Sequence, residues 1–313
     1  MESEPSKIFG REFIIGFFVP AVFFVVGSAW LLNFLGVDVP WLEINWKKPL
    51  EGSAFLGLLA LGVAIFLQAL NREIFRLAEG YWWSPFRKCV IWYQRNRYRR
   101  LSAKLQKLKS ENDDAALERT WTKIVTRYPS EESLLLPTAF GNAVRAYEDY
   151  PRVIYGFESI NGWPRLQALI SKEFGEALKR TRAQVDLWLN LGCVTFLFII
   201  EILSFAGQFC GFDILWWLVP LVVLMMLASV RSRSSAIQYG EQVKAAFDVY
   251  LPALAKNLGY ALSDETEKNK QFWEAFSQVM VYRHPKALER MTKSGLERVS
   301  AGPAQNGEQV EKT

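Results

Sequence analysis

The sequence predicts an all-α membrane protein with four transmembrane helices and a helical cytoplasmic domain. Four long apolar runs lead to this prediction, and they lie in two pairs around a basic middle: Phe13–Gly36, Ser53–Leu70, Leu187–Ala206 and Ile214–Val230. A helix of about 20 residues crosses the hydrocarbon core of a bilayer. A helix also satisfies its own backbone hydrogen bonds in lipid, so each run is expected to be one.

The rest of the composition leaves room for domains outside the membrane. The chain has 313 residues, of which 50% are hydrophobic, and its mean hydropathy is +0.04. With about 80 residues in lipid, over 200 remain, enough for a cytoplasmic core. The predicted organisation is a first membrane pair, a cytoplasmic helical segment, a second membrane pair, C-terminal cytoplasmic helices and a disordered polar tail. Their ranges are 1–70, 71–186, 187–230, 231–299 and 300–313.

The distribution of charge predicts how the chain crosses the membrane. Between Asn71 and Lys109 there are eleven Lys and Arg residues against two acids. Basic segments stay in the cytoplasm, so this segment and both termini are expected to be cytoplasmic. The first apolar run is too long for a cleavable signal peptide and is expected to be retained.

Long helices are expected to continue beyond the apolar runs. The second run continues past Leu70, the third starts from a helix capped by Ser171, and the fourth continues to Asn257. Asp113 is expected to cap a helix, and another is expected from Pro137 to about Asp149. A further helix is predicted from about Ser263 to Tyr282. Pro20 is expected to kink the first run.

The inventory of catalytic residues is small. His284 is the one histidine in the chain, which excludes HExxH and most His-dependent sites. There is no phosphate-binding loop motif and no GxSxG. Cys89, Cys193 and Cys210 are expected to be unpaired thiols. The sequence therefore predicts no cofactor, no metal and no conventional enzyme.

A polar face runs along the third apolar run. Asp186, Asn190, Cys193 and Glu201 lie within about 60° of one helical direction, and Ser204 and Gln208 extend the same side. Ionisable residues inside a membrane are costly and usually face a bundle interior or water. This face is expected to line a polar cavity, a subunit interface or a pore. Alternatively, Glu201 reaches the headgroups and Asp186 lies in the cytosol.

Small residues line one face of the second run. They fall at spacings of three or four and are Ser53, Gly57, Ala60, Ala64 and Gln68. Such faces allow close helix–helix approach in lipid. This face is expected to be a contact surface.

A second candidate site lies between residues 134 and 166. Gly141 is expected to let another backbone come close. The other candidate residues there are Asn142, Arg145, Glu148, Asp149 and Arg165, of which the charged ones are expected to form a network. The segment is either a ligand-binding or sensing loop or a structural corner.

Basic residues alternate with aromatic residues directly after the second run. The basic ones are Arg87, Lys88, Arg95, Arg97, Arg99 and Arg100. This mixture suits a surface of anionic lipid headgroups. A nucleic-acid patch has a similar composition, but the position beside a span favours lipid, and nucleic acid is not expected as a partner.

One string of residues resembles a known family. Leu136-Pro137-Thr138, Gly141-Asn142, Arg145-Ala146, Tyr155-Gly156 and Trp163-Pro164-Arg165-Leu166 resemble a signature of bacterial four-span inner-membrane proteins with no established activity. The resemblance implies a bacterial inner-membrane location. A later block also resembles the C-terminal part of that family: Tyr239-Gly240, Ala246-Phe247-Asp248-Val249-Tyr250 and Phe272-Trp273. The resemblance departs after Tyr250, where Leu251-Pro252 replaces an expected basic residue. The architecture is also similar to bestrophin-type anion channels, as a fold-level analogy.

These observations predict a function without catalysis. The expected form is a homo-oligomer that acts as a channel or as a signalling or scaffold component, with a protein partner at the cytoplasmic domain left open. The alternative is a membrane-embedded transporter or enzyme acting on a lipid or small solute. That alternative requires Glu148, Asp149 and Glu201 to converge.

Overall fold

The protein is helical throughout its described length. The computed structural model describes residues 10–36, 49–82, 87–209 and 216–282. Within these ranges no strand is present, which confirms the all-α class. In chain order the helices are α1 Arg11–Phe34, α2 Pro49–Glu79, α3 Arg87–Glu111, α4 Asp114–Arg127, α5 Ala139–Tyr155, α6 Ser159–Gln167, α7 Lys172–Phe209, α8 Leu218–Asn257 and α9 Thr266–Tyr282.

Four helices are long and apolar enough to cross a membrane. They are α1, the Ala54–Glu79 part of α2, the Lys172–Phe205 part of α7, and α8. These four helices contain the four predicted apolar runs. A few residues at the ends of the runs lie beyond the helix ends or outside the described ranges. Cys210, His284 and the predicted tail at 300–313 also lie outside those ranges.

Three helices extend well beyond their apolar parts, as predicted. α2 continues to Glu79, and α7 and α8 have 38 and 40 residues. The expected caps are present: Asp113 accepts a hydrogen bond of 3.0 Å from the Ala116 N–H, and Ser171 accepts one of 3.4 Å from the Phe174 N–H. These caps satisfy amide groups that have no partner within the helix.

The predicted end of α5 at about Asp149 is wrong. The helix passes through Pro151 and ends at Tyr155. Gly156 follows with a φ of +74°, a left-handed conformation that closes helices and that glycine adopts at low cost. A proline removes one helical hydrogen bond, whereas the left-handed glycine redirects the chain, so Gly156 sets the boundary.

The chain forms two compact units. Unit 1 comprises residues 1–147 and 176–242, and unit 2 comprises residues 148–175 and 243–313. The predicted division at the membrane boundaries follows a different criterion, because it separates apolar from polar sequence, and it stays a prediction.

Unit 1 contains the apolar parts of the four long helices. α1 packs on α2, and it also lies along α7. Side chains of α1, α7 and α8 share a core of Leu31, Phe198, Ile202 and Leu221. The indole rings of Trp30 and Trp217 meet edge to face at 4.9 Å beside this core.

Unit 2 is built around aromatic side chains. The Phe157 ring is fully buried and lies 5.1 Å from the Trp273 ring and 5.8 Å from the Phe247 ring. Gly162 of α6 packs against the Phe157 ring so closely that a Cβ at this position would overlap the ring. The absence of a side chain at Gly162 therefore decides how closely α6 approaches this core.

We predict that Gly162→Ala destabilises unit 2. The added methyl group would displace a fully buried ring, and overpacking of a core costs about 1–3 kcal/mol. Thermal unfolding followed by tryptophan fluorescence should show a lower midpoint. Gly175→Ala is the matched control, because its Cβ would meet only Ile170 at 3.8 Å. Equal midpoints for the two variants would contradict this account of the core.

Candidate functional site

The polar face of α7 lies against α1. Gly16 of α1 sits four residues before Pro20, which has no N–H with which to bond the Gly16 carbonyl. The side-chain amide of Asn190 donates to that carbonyl at 2.9 Å. Asn190 is fully buried. The turn at Ile14–Phe18 has the wider π-helical geometry. The helix is therefore already irregular one turn before Pro20, where the sequence predicts a kink.

Asp186 lies one turn before Asn190 and is also buried. Its Oδ1 is 3.3 Å from Arg182 Nε and accepts a hydrogen bond of 3.3 Å from the Asn71 amide of α2. The Arg182 guanidinium also lies 4.4 Å above the Phe75 ring. A buried carboxylate requires such partners, because its desolvation is otherwise costly. Asp186 thus joins α7 to α2, one turn from the hydrogen bond by which Asn190 joins α7 to α1.

Glu201 makes a second contact with α1 near the other end of the apolar segment. The Ser28 hydroxyl donates to Glu201 Oε2 at 2.7 Å. The contacts Gly16–Asn190 and Ser28–Glu201 advance together along both helices, so α1 and α7 run parallel. At 1.5 Å per residue the two levels are about 18 Å apart. Gly27 supports the approach between them, since a Cβ there would lie 3.2 Å from the Phe198 ring.

The polar face predicted on α7 therefore makes its contacts with other helices of the same chain. Asp186, Asn190 and Glu201 all bond to α1 or α2. Ser204 donates to the Ile200 carbonyl of its own helix, and Cys193 is a half-buried free thiol. The side chain of Gln208 lies outside the described part. Sequence reasoning missed Gly16, Asn71 and Arg182; the i, i+4 spacing of Arg182 and Asp186 is the signal that indicates this pair.

The small-residue face of α2 is partly used within the chain. Ala60 and Ala64 are buried, whereas Gln68 is exposed. A Cβ at Gly57 would meet nothing within 4 Å. The side chain of Ser53 lies outside the described part. Close packing on this face is thus limited to its middle.

The predicted loop site begins as a corner between α2 and α5. A Cβ at Gly141 would lie 2.7 Å from the Glu79 carbonyl oxygen, so the expected close backbone approach is present. The Thr138 hydroxyl donates to the Ala78 carbonyl at 2.6 Å. Asn142, fully buried, accepts from the Leu136 N–H at 2.7 Å and donates to the Leu136 carbonyl at 2.9 Å. This geometry favours the structural reading for Gly141 and Asn142.

The charged candidates of this segment are divided between the two units. In unit 1, Arg145 donates to the Tyr81 hydroxyl at 2.8 Å. In unit 2, Asp149 pairs with Arg152 at 2.8 Å, the Glu148 carbonyl accepts from Ser159, and Arg165 donates to the Asn161 carbonyl at 2.9 Å. Arg152, which pairs with Asp149, is not included in the predicted network, and the network itself stays a prediction.

Unit 2 contains a polar cluster that the sequence did not reveal. Asp248 Oδ1 accepts hydrogen bonds from the Tyr150 and Tyr155 hydroxyls at 3.0 and 2.8 Å. Burial, followed by the hydrogen bond to Asp248, raises the pKa of Tyr155 well above its usual range. Tyr155 also lines a pocket of about 190 Å³ with Trp273 and Lys270. These residues are far apart in sequence, so spacing alone does not join them.

The basic residues lie on α3 and differ in their partners. Arg95 and Arg99 both pair with Glu132 at 2.8 Å. The hydrogen bond from Arg99 lowers the pKa of the Glu132 carboxyl. The side chains of Arg87, Lys88, Arg97 and Arg100 are exposed. Trp92 and Tyr93 of the same helix are exposed as well, by 64% and 56%.

The described residues contain no group of three or more His, Cys, Asp or Glu side chains that could hold a metal ion. Comparisons of the chain with protein-family models, curated proteins and solved structures gave no significant match. The geometry of the chain itself therefore has to carry any functional conclusion.

We predict that Asn142→Ala destabilises the α2–α5 corner by about 2–6 kcal/mol. The change leaves a buried N–H and a buried carbonyl of Leu136 unpaired, and each unsatisfied group costs about 1–3 kcal/mol. Chemical unfolding in detergent should show the loss. Asn161→Ala, at an exposed position, should unfold like the wild type. A loss of the same size in both variants would argue against this role for Asn142.

Proposed function

We propose that this chain is an integral, multi-pass protein of the bacterial inner membrane with both termini in the cytoplasm. Large apolar side chains on the four long helices support membrane integration, because they face outward from unit 1. Only 17% of the apolar window of α2 is buried inside the chain. A water-soluble protein rarely exposes apolar surface on this scale. Examples are Leu58, Phe66, Val223, Met226 and Val230.

The parallel packing of α1 and α7 supports the proposed path. In a four-span chain the first and third spans cross in the same direction. Arg11 and Arg182 precede the first and third apolar segments, whereas Arg72 and Arg231 follow the second and fourth. If successive segments cross the membrane in opposite directions, all four arginines lie on one side of it. Under the positive-inside rule this side is cytoplasmic, and the segments 71–186 and 231–299 then form the cytoplasmic part.

We further propose a non-enzymatic scaffold or signalling role as a homo-oligomer. The observation that carries this proposal is the internal pairing of Asn190 with Gly16 and of Glu201 with Ser28. Those polar groups are bonded within one chain, which disfavours a pore lined by α7. Self-association is supported by exposed apolar side chains in unit 2, outside the apolar runs: Val153, Ile154, Ile160 and Val249.

We also propose that anionic headgroups contact α3. Its exposed basic residues attract a negative surface, and Trp92 and Tyr93 suit the interface between water and lipid. A nucleic acid is not required to explain this helix.

The proposed topology predicts the side from which two cysteine probes are labelled. The probes are Cys89 alone and Asn33→Cys alone, each in a chain whose other cysteines are replaced by alanine. Both positions are exposed. In spheroplasts, a membrane-impermeant maleimide should label the residue 33 probe and spare Cys89. Both should react after lysis. Labelling of Cys89 in intact spheroplasts would refute the topology.

The scaffold role predicts that purified protein in liposomes conducts no ions. We expect neither the wild type nor Glu201→Gln to support flux under several salts and potentials, because Glu201 bonds to Ser28 within the chain. A known channel reconstituted in parallel shows that the vesicles report flux. Flux through the wild type that Glu201→Gln alters would establish a pore instead and place Glu201 on its path.

Self-association through unit 2 predicts that Ile160→Glu lowers the oligomer mass. A charge at this exposed apolar position should oppose its burial against a second copy. Light scattering on detergent-solubilised protein would report the mass. Gln278→Glu adds the same charge at an exposed polar position of unit 2 and should leave the mass unchanged. A monomeric wild type, or unchanged mass in Ile160→Glu, would contradict the proposed interface.

A further inference from the structure

A pocket of about 190 Å³ lies between three helices of unit 2. One face of α9 forms a wall of the pocket, with residues at the spacing of successive helical turns: Thr266, Asn269, Lys270 and Trp273. The end of α5 and the Leu251–Pro252 part of α8 form the other walls. All of the lining residues belong to unit 2.

Contacts within unit 2 hold these walls in place. Gly156 directly follows α5, and it packs so closely on α9 that a Cβ there would lie 2.8 Å from the Lys270 carbonyl oxygen. The side-chain amide of Asn269 accepts from the Ser263 N–H at 2.8 Å and donates to the Ser263 carbonyl at 2.7 Å. These bonds fix the start of α9 against the segment that precedes it. The pocket is therefore preformed, as is usual for small-molecule sites.

Apolar side chains form most of the pocket lining. Trp273 contributes an indole ring that is only 2% exposed. The aliphatic side chains of the lining are Ile154, Leu251, Pro252 and Leu262. A cavity of about 150 Å³ with apolar walls takes up benzene. The volume here thus suits one six-membered ring with a small substituent, and the indole of Trp273 favours an aromatic ring.

Among the residues that line the pocket, Lys270 is the one that carries a charge. It is half-buried and forms no ion pair with a carboxylate of the described residues, whereas Lys268 pairs with Glu265 at 2.7 Å. The Asn269 amide and the Tyr155 hydroxyl are already hydrogen-bonded within unit 2. A lysine ammonium on its flexible stem can reach an anionic group held in the pocket, so Lys270 is the residue that can select a ligand by charge.

We propose that this pocket binds a small aromatic carboxylic acid. The ring of the acid occupies the apolar interior against Trp273, and the carboxylate accepts a hydrogen bond from the Lys270 ammonium. Burial of the ring supplies affinity, whereas the charge-assisted hydrogen bond supplies a preference for the acid over a neutral analogue. The inference goes beyond the scaffold or signalling role, because it gives unit 2 a ligand, and it does not depend on the membrane location.

The test measures binding of para-fluorobenzoate to full-length protein in lipid nanodiscs by fluorine NMR. The neutral analogue is para-fluorobenzamide, and empty nanodiscs give the background. Lys270→Gln removes the ammonium, and Lys268→Gln is its matched control because it removes an exposed charge from the same helix. Thr266→Trp fills the pocket from an exposed position, whereas Gln271→Trp adds the same side chain at an exposed position outside the lining. Circular dichroism verifies that each variant is folded.

The wild type should bind the acid at least about tenfold more tightly than the amide, as expected for one charge-assisted hydrogen bond. Lys270→Gln should remove this preference, and Lys268→Gln should keep it. Thr266→Trp should abolish binding of both compounds, and Gln271→Trp should leave it unchanged. The site would be overturned by a wild type that binds neither compound at millimolar concentration or binds both equally. Equal losses in a pocket variant and its control would overturn it as well.

Discussion

The packing of unit 1 depends on the contact between α1 and α7. Pro20 deprives the Gly16 carbonyl of its helical donor, and Asn190 supplies the missing hydrogen bond from another helix. In an apolar environment an unsatisfied carbonyl is costly, so this bond fixes the rotation and height of α1 against α7. The absence of side chains at Gly16 and Gly27 then allows close approach. Ser28 and Glu201 pair about three turns further on because the helices already share this register.

Polar groups in the apolar helices thus serve assembly of the helix bundle. Asp186 is buried but has Arg182 and Asn71 as partners, and these residues connect α7 to α2. Polar contacts between helices contribute modest free energies in lipid, yet they are directional. Directional contacts select one arrangement among many apolar packings of similar energy. This explains how sparse polar residues can set the geometry of a bundle.

The parts outside the apolar runs use different devices. At the α2–α5 corner, the absence of a side chain at Gly141 allows close packing against the backbone of α2. Asn142 forms two hydrogen bonds with the backbone of Leu136. In unit 2, aromatic rings around Phe157 supply the core, and Gly162 allows α6 to reach it.

The sequence by itself determined the helical class, the apolar runs and most helix starts, because hydropathy and capping act over short distances. It also marked Gly141, Asn142, Asp186, Asn190 and Glu201 as unusual residues. Only the tertiary structure decided their partners, since Asn190 and Glu201 bond to residues more than 170 positions away. It likewise joined Tyr155 to Asp248. Local pattern sets which groups need a partner, whereas the helix packing selects which partner comes within reach.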